Sequence, residues 1–170
     1  MQLIEIFKSL PNFQLLFNYI SLSESSTNIM SWDQATISLS NRSKGCYLIT
    51  EEIISKLPQI KNYEIGNLNL FLKHTSAGIT LNENFDDDVQ TDMEAIMDRI
   101  VPQRKDYLHS SEGNYDMPSH ALSSLMGVSL NIPITNGKLA LGTWQGVWLV
   151  EGRIEKHNRK IIATINGQKK

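Results

Sequence analysis

Along the chain the spacing of apolar and polar positions changes several times, and each change predicts an element. From Trp32 to Leu39, apolar or β-branched side chains fall at alternate positions for part of the run, the period-two signature of a strand with one wet face. Cys46 to Ile49 predicts a partner strand across a turn at 41–45. Thr50 is placed to cap a helix through Glu51, Glu52, Ile53 and Ile54, because its hydroxyl can take an orphan amide and the glutamates suit the positive helix start; Pro58 limits its end. Asn67 to Leu72 reads as a strand running into His74, and Gly78 to Asn82 as the next one, with the turn Thr75-Ser76-Ala77-Gly78 between them.

From Asp86 to Ile100 the period becomes helical. Val89, Met93, Ile96 and Ile100 form one apolar stripe, and Asp86, Asp87 and Asp88 crowd the first turn. A polar stretch carrying His109 and Glu112 follows, and Asp116 is placed to cap a short helix entered through Pro118 that carries His120, Ala121, Ser124 and Leu125. The last third reads as strand. Ser129 to Ile134 and Lys138 to Leu141 flank Asn136-Gly137, a strong hairpin signal because both turn positions need positive φ. Pro133 puts its strand at an edge or turns its amide away from a neighbour. Val147 to Arg153 and Lys160 to Ile165 close the sheet through a turn that contains His157. The order of elements is that of an α+β fold with two or three helices, and no dinucleotide fingerprint, P-loop or internal repeat is present.

The length of 170 residues predicts a single domain over 31–168, preceded by an accessory segment and linker at 1–30. Met1 to Ile20 is apolar-rich, but Glu5, Lys8 and Pro11 interrupt it, so it predicts neither a transmembrane span nor a secretory leader. Leu22 to Ile29, Ser-rich and polar, is the linker. A net charge of −2 without any block of Lys and Arg argues against nucleic acid or a membrane surface as partner. The lone Cys46 excludes an internal disulfide and a Cys-x-x-Cys site, and it lies in an apolar run where a buried, inert thiol is expected. A reducing, cytoplasmic compartment fits this usage.

Chemistry concentrates between Leu72 and His120, where His74, His109 and His120 lie among many carboxylates. Neutral imidazoles with carboxylates are what a divalent metal or a proton-transfer site needs. The three fit no short zinc motif, so any convergence must come from the fold, and scattered surface or core histidines stand as the alternative. Gly142-Thr143-Trp144-Gln145-Gly146 breaks the strand pattern; its glycines would let backbone approach a ligand, or the stretch is a bulged bend around a core tryptophan.

His74-Thr75-Ser76-Ala77, then Asn82-Glu83-Asn84 with Asp86, Asp88, Val89 and Asp92, then His109, Glu112-Gly113, Asp116-Met117-Pro118 and His120, and finally Ser129, Pro133, Gly137 and Gly142 to Gly146 together resemble the YjbQ-like family over roughly Trp32 to Gly167. The resemblance implies an α+β fold of packed antiparallel β-sheets, a homotrimer, and a site in which His74, His109 and His120 hold a divalent metal. That metal would be zinc or similar, with Mg²⁺ an open alternative. It further implies Glu112 and Asp116 as catalytic proton carriers or supports of the imidazoles, and Thr75, Ser76, Gly142, Thr143, Trp144 and Gln145 as substrate-binding residues. A bacterial member is described as a secondary thiamine-phosphate synthase. The implied activity is therefore metal-assisted chemistry on a small phosphorylated metabolite, with a metal-dependent hydrolase or phosphatase and a non-catalytic metal- or metabolite-binding oligomer as alternatives. Asp87 stands where the family often has proline, and Ser119 where alanine is common.

Overall fold

Alternation holds in the strands of one sheet and fails in the middle strand of the other, and this difference sets the layers. The structure, a computed structural model, describes Met30–Lys170; the accessory segment and linker expected at the amino end lie, but for Met30, outside these residues. In chain order the elements are β1 (Met30–Ser38), β2 (Gly45–Leu48), α1 (Thr50–Ser55), a 3₁₀ turn (Pro58–Asn62), β3 (Tyr63–Leu72), β4 (Ala77–Glu83), α2 (Asp87–Ile100), α3 (Asp116–Met126), β5 (Ser129–Thr135), β6 (Lys138–Leu139), β7 (Gln145–Glu151) and β8 (Lys160–Lys169). They form a five-stranded sheet in the order β1-β8-β3-β5-β6 and a three-stranded sheet in the order β2-β7-β4. Every register given for β2 to β8 is antiparallel.

In β8, Ile161, Ala163 and Ile165 face inward while the residues between them are half-exposed, so this strand buries one face. In β7, Val147 and Leu149 enter the core between the sheets, whereas Trp148 and Val150 enter a second cluster with Met97 of α2 and Leu122 of α3. All four are at most 3 % exposed. A strand covered on both faces needs an unbroken apolar run, which is what Val147-Trp148-Leu149-Val150 supplies. The result is three layers, sheet on sheet and then helices, with β7 at the centre. Each fully buried aliphatic or aromatic side chain here contributes about 1.5–3 kcal/mol.

The α+β architecture and the hairpin at Asn136-Gly137 match the sequence expectation; φ is 52° and 80° at the two turn residues. Four local readings are corrected. Strand β3 starts earlier than Asn67, at Tyr63, and the strand expected through Leu141 ends at Leu139. Thr50 is not a cap: α1 is preceded by Ile49 with no side-chain capping bond, and the Thr50 hydroxyl accepts the Val147 amide at 2.8 Å. Asp116 is not a cap either, since the residue before α3 is Tyr115 and the Asp116 carboxylate turns to side chains elsewhere. Asp86 does cap α2, accepting from the Asp88 amide at 2.9 Å. Among the described residues no helix is long and apolar enough to cross a membrane.

Candidate metal centre and its groove

Helix α3 lies across β4 because Gly78 has no side chain: a Cβ there would stand 2.4 Å from Cβ of Met126. At the other end of the helix, Gly152 lets the chain leaving β7 pass Ser119, whose Oγ would be 2.5 Å from an added Cβ. These two close approaches bring the first turn of α3, the end of β7 and the β3–β4 turn to one place.

Asp116 opens α3 and is 2 % exposed. Its Oδ2 lies 2.6 Å from His109 Nε2 and 3.2 Å from His120 Nε2, and its Oδ1 accepts from Arg153 Nη1. His120 sits one helical turn after Asp116, which puts both on one face; His109 reaches in from the loop before α3. Burial alone would raise the Asp116 pKa, but the hydrogen bond from His109 and the charges of His120 and Arg153 outweigh it and hold the carboxyl below its usual range. The ligand-capable atoms of His109, Asp116 and His120 all lie within 4.8 Å of one another.

The outer partners fix how these groups can act. His120 Nδ1 lies 2.8 Å from the carbonyl of Thr75, an acceptor only, so Nδ1 carries the proton and in the neutral ring Nε2 has the lone pair. Arg153 is itself held: its backbone amide donates to Glu151 at 3.0 Å and its Nη1 reaches Glu112 at 3.3 Å. Beneath it Glu151 and Arg159 form a buried two-pronged ion pair, with distances of 2.6 and 2.5 Å, and Arg159 also donates to the Ser76 hydroxyl at 2.9 Å.

The expected site residues therefore divide. His109, Asp116 and His120 come together. His74 lies outside that group: its Nε2 accepts the Lys160 amide at 2.8 Å, which occupies the lone pair a metal would need on that atom. Burial, then the positive charge of Arg159, lowers its pKa, so the ring is neutral. It still shares a groove with His120, of about 640 Å³, lined also by Phe71, Lys73, Thr75 and Val128. Thr75 enters through its carbonyl. The Ser76 hydroxyl is taken up by Arg159, and Glu112 is exposed and paired with Arg153. Gly142, Thr143, Trp144 and Gln145 are not beside the histidines. In the β4–β7 ladder Ala77 pairs with Glu151 at the histidine end and Glu83 with Gln145 at the other, six residues or roughly 20 Å away. Trp144 is also no core residue; it is 55 % exposed and stands edge-on to Phe85 at 4.8 Å between centroids.

Sequence reasoning missed Arg153, Arg159 and the buried role of Glu151. A visible signal existed: Glu151 directly continues a four-residue apolar run, and a buried carboxylate requires a cation.

The donor set, two imidazole nitrogens and a carboxylate oxygen, is the kind that holds a divalent transition metal. Ligand bonds of about 2.0–2.2 Å put neighbouring ligand atoms about 3–3.5 Å apart; the 3.2 Å between Asp116 and His120 lies in that range, whereas His109 stands at hydrogen-bond distance from Asp116, 2.6 Å, and would have to draw back to ligate. The chain is thus an α+β protein of two packed antiparallel sheets with a His₂Asp cluster at one end of the three-stranded sheet. A family model described as UPF0047 protein YjbQ-like matches residues 35–168, and the chain belongs to that family. The UPF0047 protein YjbQ of Salmonella typhimurium is 52% identical over 137 residues, 81% of this chain and 99% of that protein; the Escherichia coli O157:H7 protein of the same description is 48% identical over the same length, with the same coverage. Among solved structures, a yjbq/upf0047 family protein from Clostridium acetobutylicum is similar at a TM-score of 0.65 and 37% identity, covering 78% of this chain and 98% of that one. A YbjQ-like protein of unknown function from Sulfolobus solfataricus P2 shares the fold at a TM-score of 0.71 and 23% identity, covering 82% of this chain and 100% of that one.

Proposed function

We propose that the protein is a metal-assisted enzyme acting on a small phosphorylated metabolite, with a divalent cation held by His109, Asp116 and His120. The observation that carries this reading is the convergence of those three donors with the His120 tautomer set by the Thr75 carbonyl. Two imidazoles favour zinc or a similar metal over Mg²⁺, which prefers oxygen ligands. When bound, such an ion supplies a Lewis acid for phosphoryl oxygens as negative charge builds on them.

The remaining roles belong to side chains. Asp116, held ionised, is a ligand and an anchor for both rings rather than a proton donor. Arg153 keeps that carboxylate aimed. Lys73 on the rim of the groove offers a positive charge to an anionic substrate, and His74, whose Nε2 accepts the Lys160 amide, carries its ring proton on Nδ1 and can donate a hydrogen bond from there. His109, its side chain 45 % exposed, leaves one side of the cluster open to solvent, and this favours hydrolysis as the second reading beside the synthase activity that the family resemblance implies.

Metal analysis of the purified protein and of His109→Ala and His120→Ala tests the centre: bound metal should fall to background in both variants, and unchanged content in both would sink the proposal. Product analysis with a pyrimidine diphosphate and a thiazole phosphate separates the two chemistries, because only a synthase joins them into thiamine phosphate whereas a hydrolase releases phosphate from either alone.

A further inference from the structure

We infer that the cavity enclosed by α2, the first turns of α3, the start of β2 and the end of β7 is a regulatory site for a small uncharged aromatic molecule, whose presence tightens the cation centre on the far side of α3. The cavity lies at the edge of the second apolar cluster and has a volume of about 40 Å³, roughly three times what one water needs. Its floor is Cys46 of β2, Met97 of α2, Leu122 of α3 and Val150 of β7, and Val101 and Pro118 close its sides. The two apolar clusters are filled differently. Among the described residues the core between the sheets has no methionine, whereas Met93, Met97 and Met126 all belong to the cluster around this cavity. Methionine has three rotatable bonds and re-packs around a guest, and its sulfur makes favourable contacts with aromatic rings. Such a cluster yields where one of branched aliphatic side chains would not.

The polar groups of the lining fix the ligand's charge, because they are already engaged. Lys44 Nζ donates to Glu94 at 2.8 Å and to Asp98 at 2.9 Å, Ser119 Oγ donates to the Tyr115 carbonyl at 2.5 Å, and Arg159 takes up the Glu151 carboxylate. Burial pushes the Cys46 thiol up to about 11, so it stays neutral. A charged guest would lose its water without gaining a free counter-ion, whereas an apolar one loses nothing. Dry apolar cavities of this kind take molecules such as benzene. One turn of α3 separates the cavity from the cation centre. Tyr115, Pro118 and Ser119 line the cavity, while Asp116 and His120 of the same stretch meet at the centre. Glu151 also lines the cavity and accepts the amide of Arg153, whose guanidinium holds Asp116. A guest under this turn therefore keeps the helix start and Arg153 in their cation-binding positions. By linkage the cation raises the affinity for the guest by the same factor. The regulatory half of the inference rests on the cation centre proposed above; the ligand site itself does not.

The test uses benzene as the probe, with Co²⁺ as the cation. On the unaltered chain, benzene should raise the midpoint of thermal unfolding in a concentration-dependent way, since a guest that binds only the folded chain stabilises it by mass action; no rise up to the solubility limit overturns the site. Methyl spectra of the ¹³C-methionine-labelled chain locate the guest. The Met97 methyl, assigned by its loss in Met97→Leu, should move under the ring current of benzene while that of Met30, on β1 in the other sheet, stays in place. A stationary Met97 signal overturns the inference. Cys46→Leu, whose longer side chain enters the cavity, should remove most of the rise in midpoint, and a full rise in that variant overturns the site; should it fail to fold, the Met97 signal of the unaltered chain decides. Saturating benzene should lower the Co²⁺ Kd about fivefold or more. A Kd unchanged or raised overturns the regulatory half. A chain that shifts Met97 on adding benzene but binds no Co²⁺ refutes the cation centre and the regulation built on it, and upholds the ligand site.

Discussion

Strands β4 and β7 end in opposite ways. At the end near Ala77 and Glu151 the chain buries Glu151 and Arg159 as a matched pair, whereas at the end near Glu83 and Gln145 it holds a tight backbone turn and leaves two aromatic rings in solvent. The first arrangement uses the fold to fix where side chains point; the second uses it to present a surface. A buried ionic network is costly to assemble and costly to break, so it is kept where position matters. An exposed aromatic pair costs little to keep and little to remove within one chain, so removing it tests whether the rings meet anything else.

The largest effect should come from breaking the ionic end. Arg159 is buried and donates to Glu151 and to Ser76, so Arg159→Ala leaves a carboxylate alone in the interior. Denaturant unfolding should show a loss of about 3–5 kcal/mol. Because Glu151 also holds the Arg153 amide, the variant should lose metal affinity along with stability; a loss below about 1 kcal/mol would mean that the network does not frame the site. Next comes Gly152→Ala. The new Cβ would meet Ser119 Oγ at 2.5 Å and its Cα at 2.8 Å, backbone as well as side chain, so the helix must shift. Overpacking of this kind costs about 1–3 kcal/mol, and thermal unfolding together with a Co²⁺ titration should both register it. Retained affinity with lost stability would show that the Asp116 cluster tolerates displacement of α3.

Much of the fold was legible because its signals are local. The Asn136-Gly137 turn demands positive φ whatever surrounds it, and the helical period of α2 is read directly from spacing, although the face it buries is Val89, Met93 and Met97 while Ile96 and Ile100 of the expected stripe are 40 % and 57 % exposed. The two misread caps show where local reasoning stops. Thr50 and Asp116 have the chemistry of cap residues, but distant partners, the Val147 amide in one case and His109, His120 and Arg153 in the other, claim their oxygens. The candidate site was half legible. Asp116 and His120 lie one helical turn apart, a spacing visible in the sequence, whereas His109 joins through a loop and His74 is turned away by a bond to Lys160 that depends on the β3–β8 pairing. Trp144 and the histidines were grouped by resemblance, yet only the register of β4 on β7 shows that one chain keeps them apart.

A smaller effect compares carboxylates tied to the two ends. Glu52 in α1, the helix that clamps β7 through Thr50, accepts from Arg42, Lys56 and Ser40; burial opposes ionisation there, but these partners bring its pKa down to about 2 from 4.5. A folded-state value below the unfolded one means that the stabilisation is complete above about pH 4.5 and disappears as the pH falls toward about 2. Glu52→Gln should therefore lower stability at neutral pH by roughly 1–2 kcal/mol, allowing for screening at a partly exposed site, and flatten the acid limb over that window. An acid limb with the same slope as the parent would assign the acid sensitivity to other carboxyls held low by their partners, Asp33 and Asp116.

The smallest effect should come from the aromatic end, and its smallness is the informative part. Trp144 is more than half exposed and its side chain touches chiefly Phe85, so within one chain Trp144→Ala removes an edge-to-face contact of about 0.5–1.5 kcal/mol and little buried area. Its backbone bonds to Asn84 and the Gly142–Gln145 turn persist, because none depends on the indole. Unfolding measured at high dilution, where copies are separate, should therefore shift by no more than about 1 kcal/mol. At high concentration the same substitution should cost more if the ring is covered by a neighbour, since the parent then gains stability by association that the variant lacks. A difference between parent and variant that grows with concentration identifies the aromatic end as a contact surface; a constant small difference identifies it as ordinary exposed side chain.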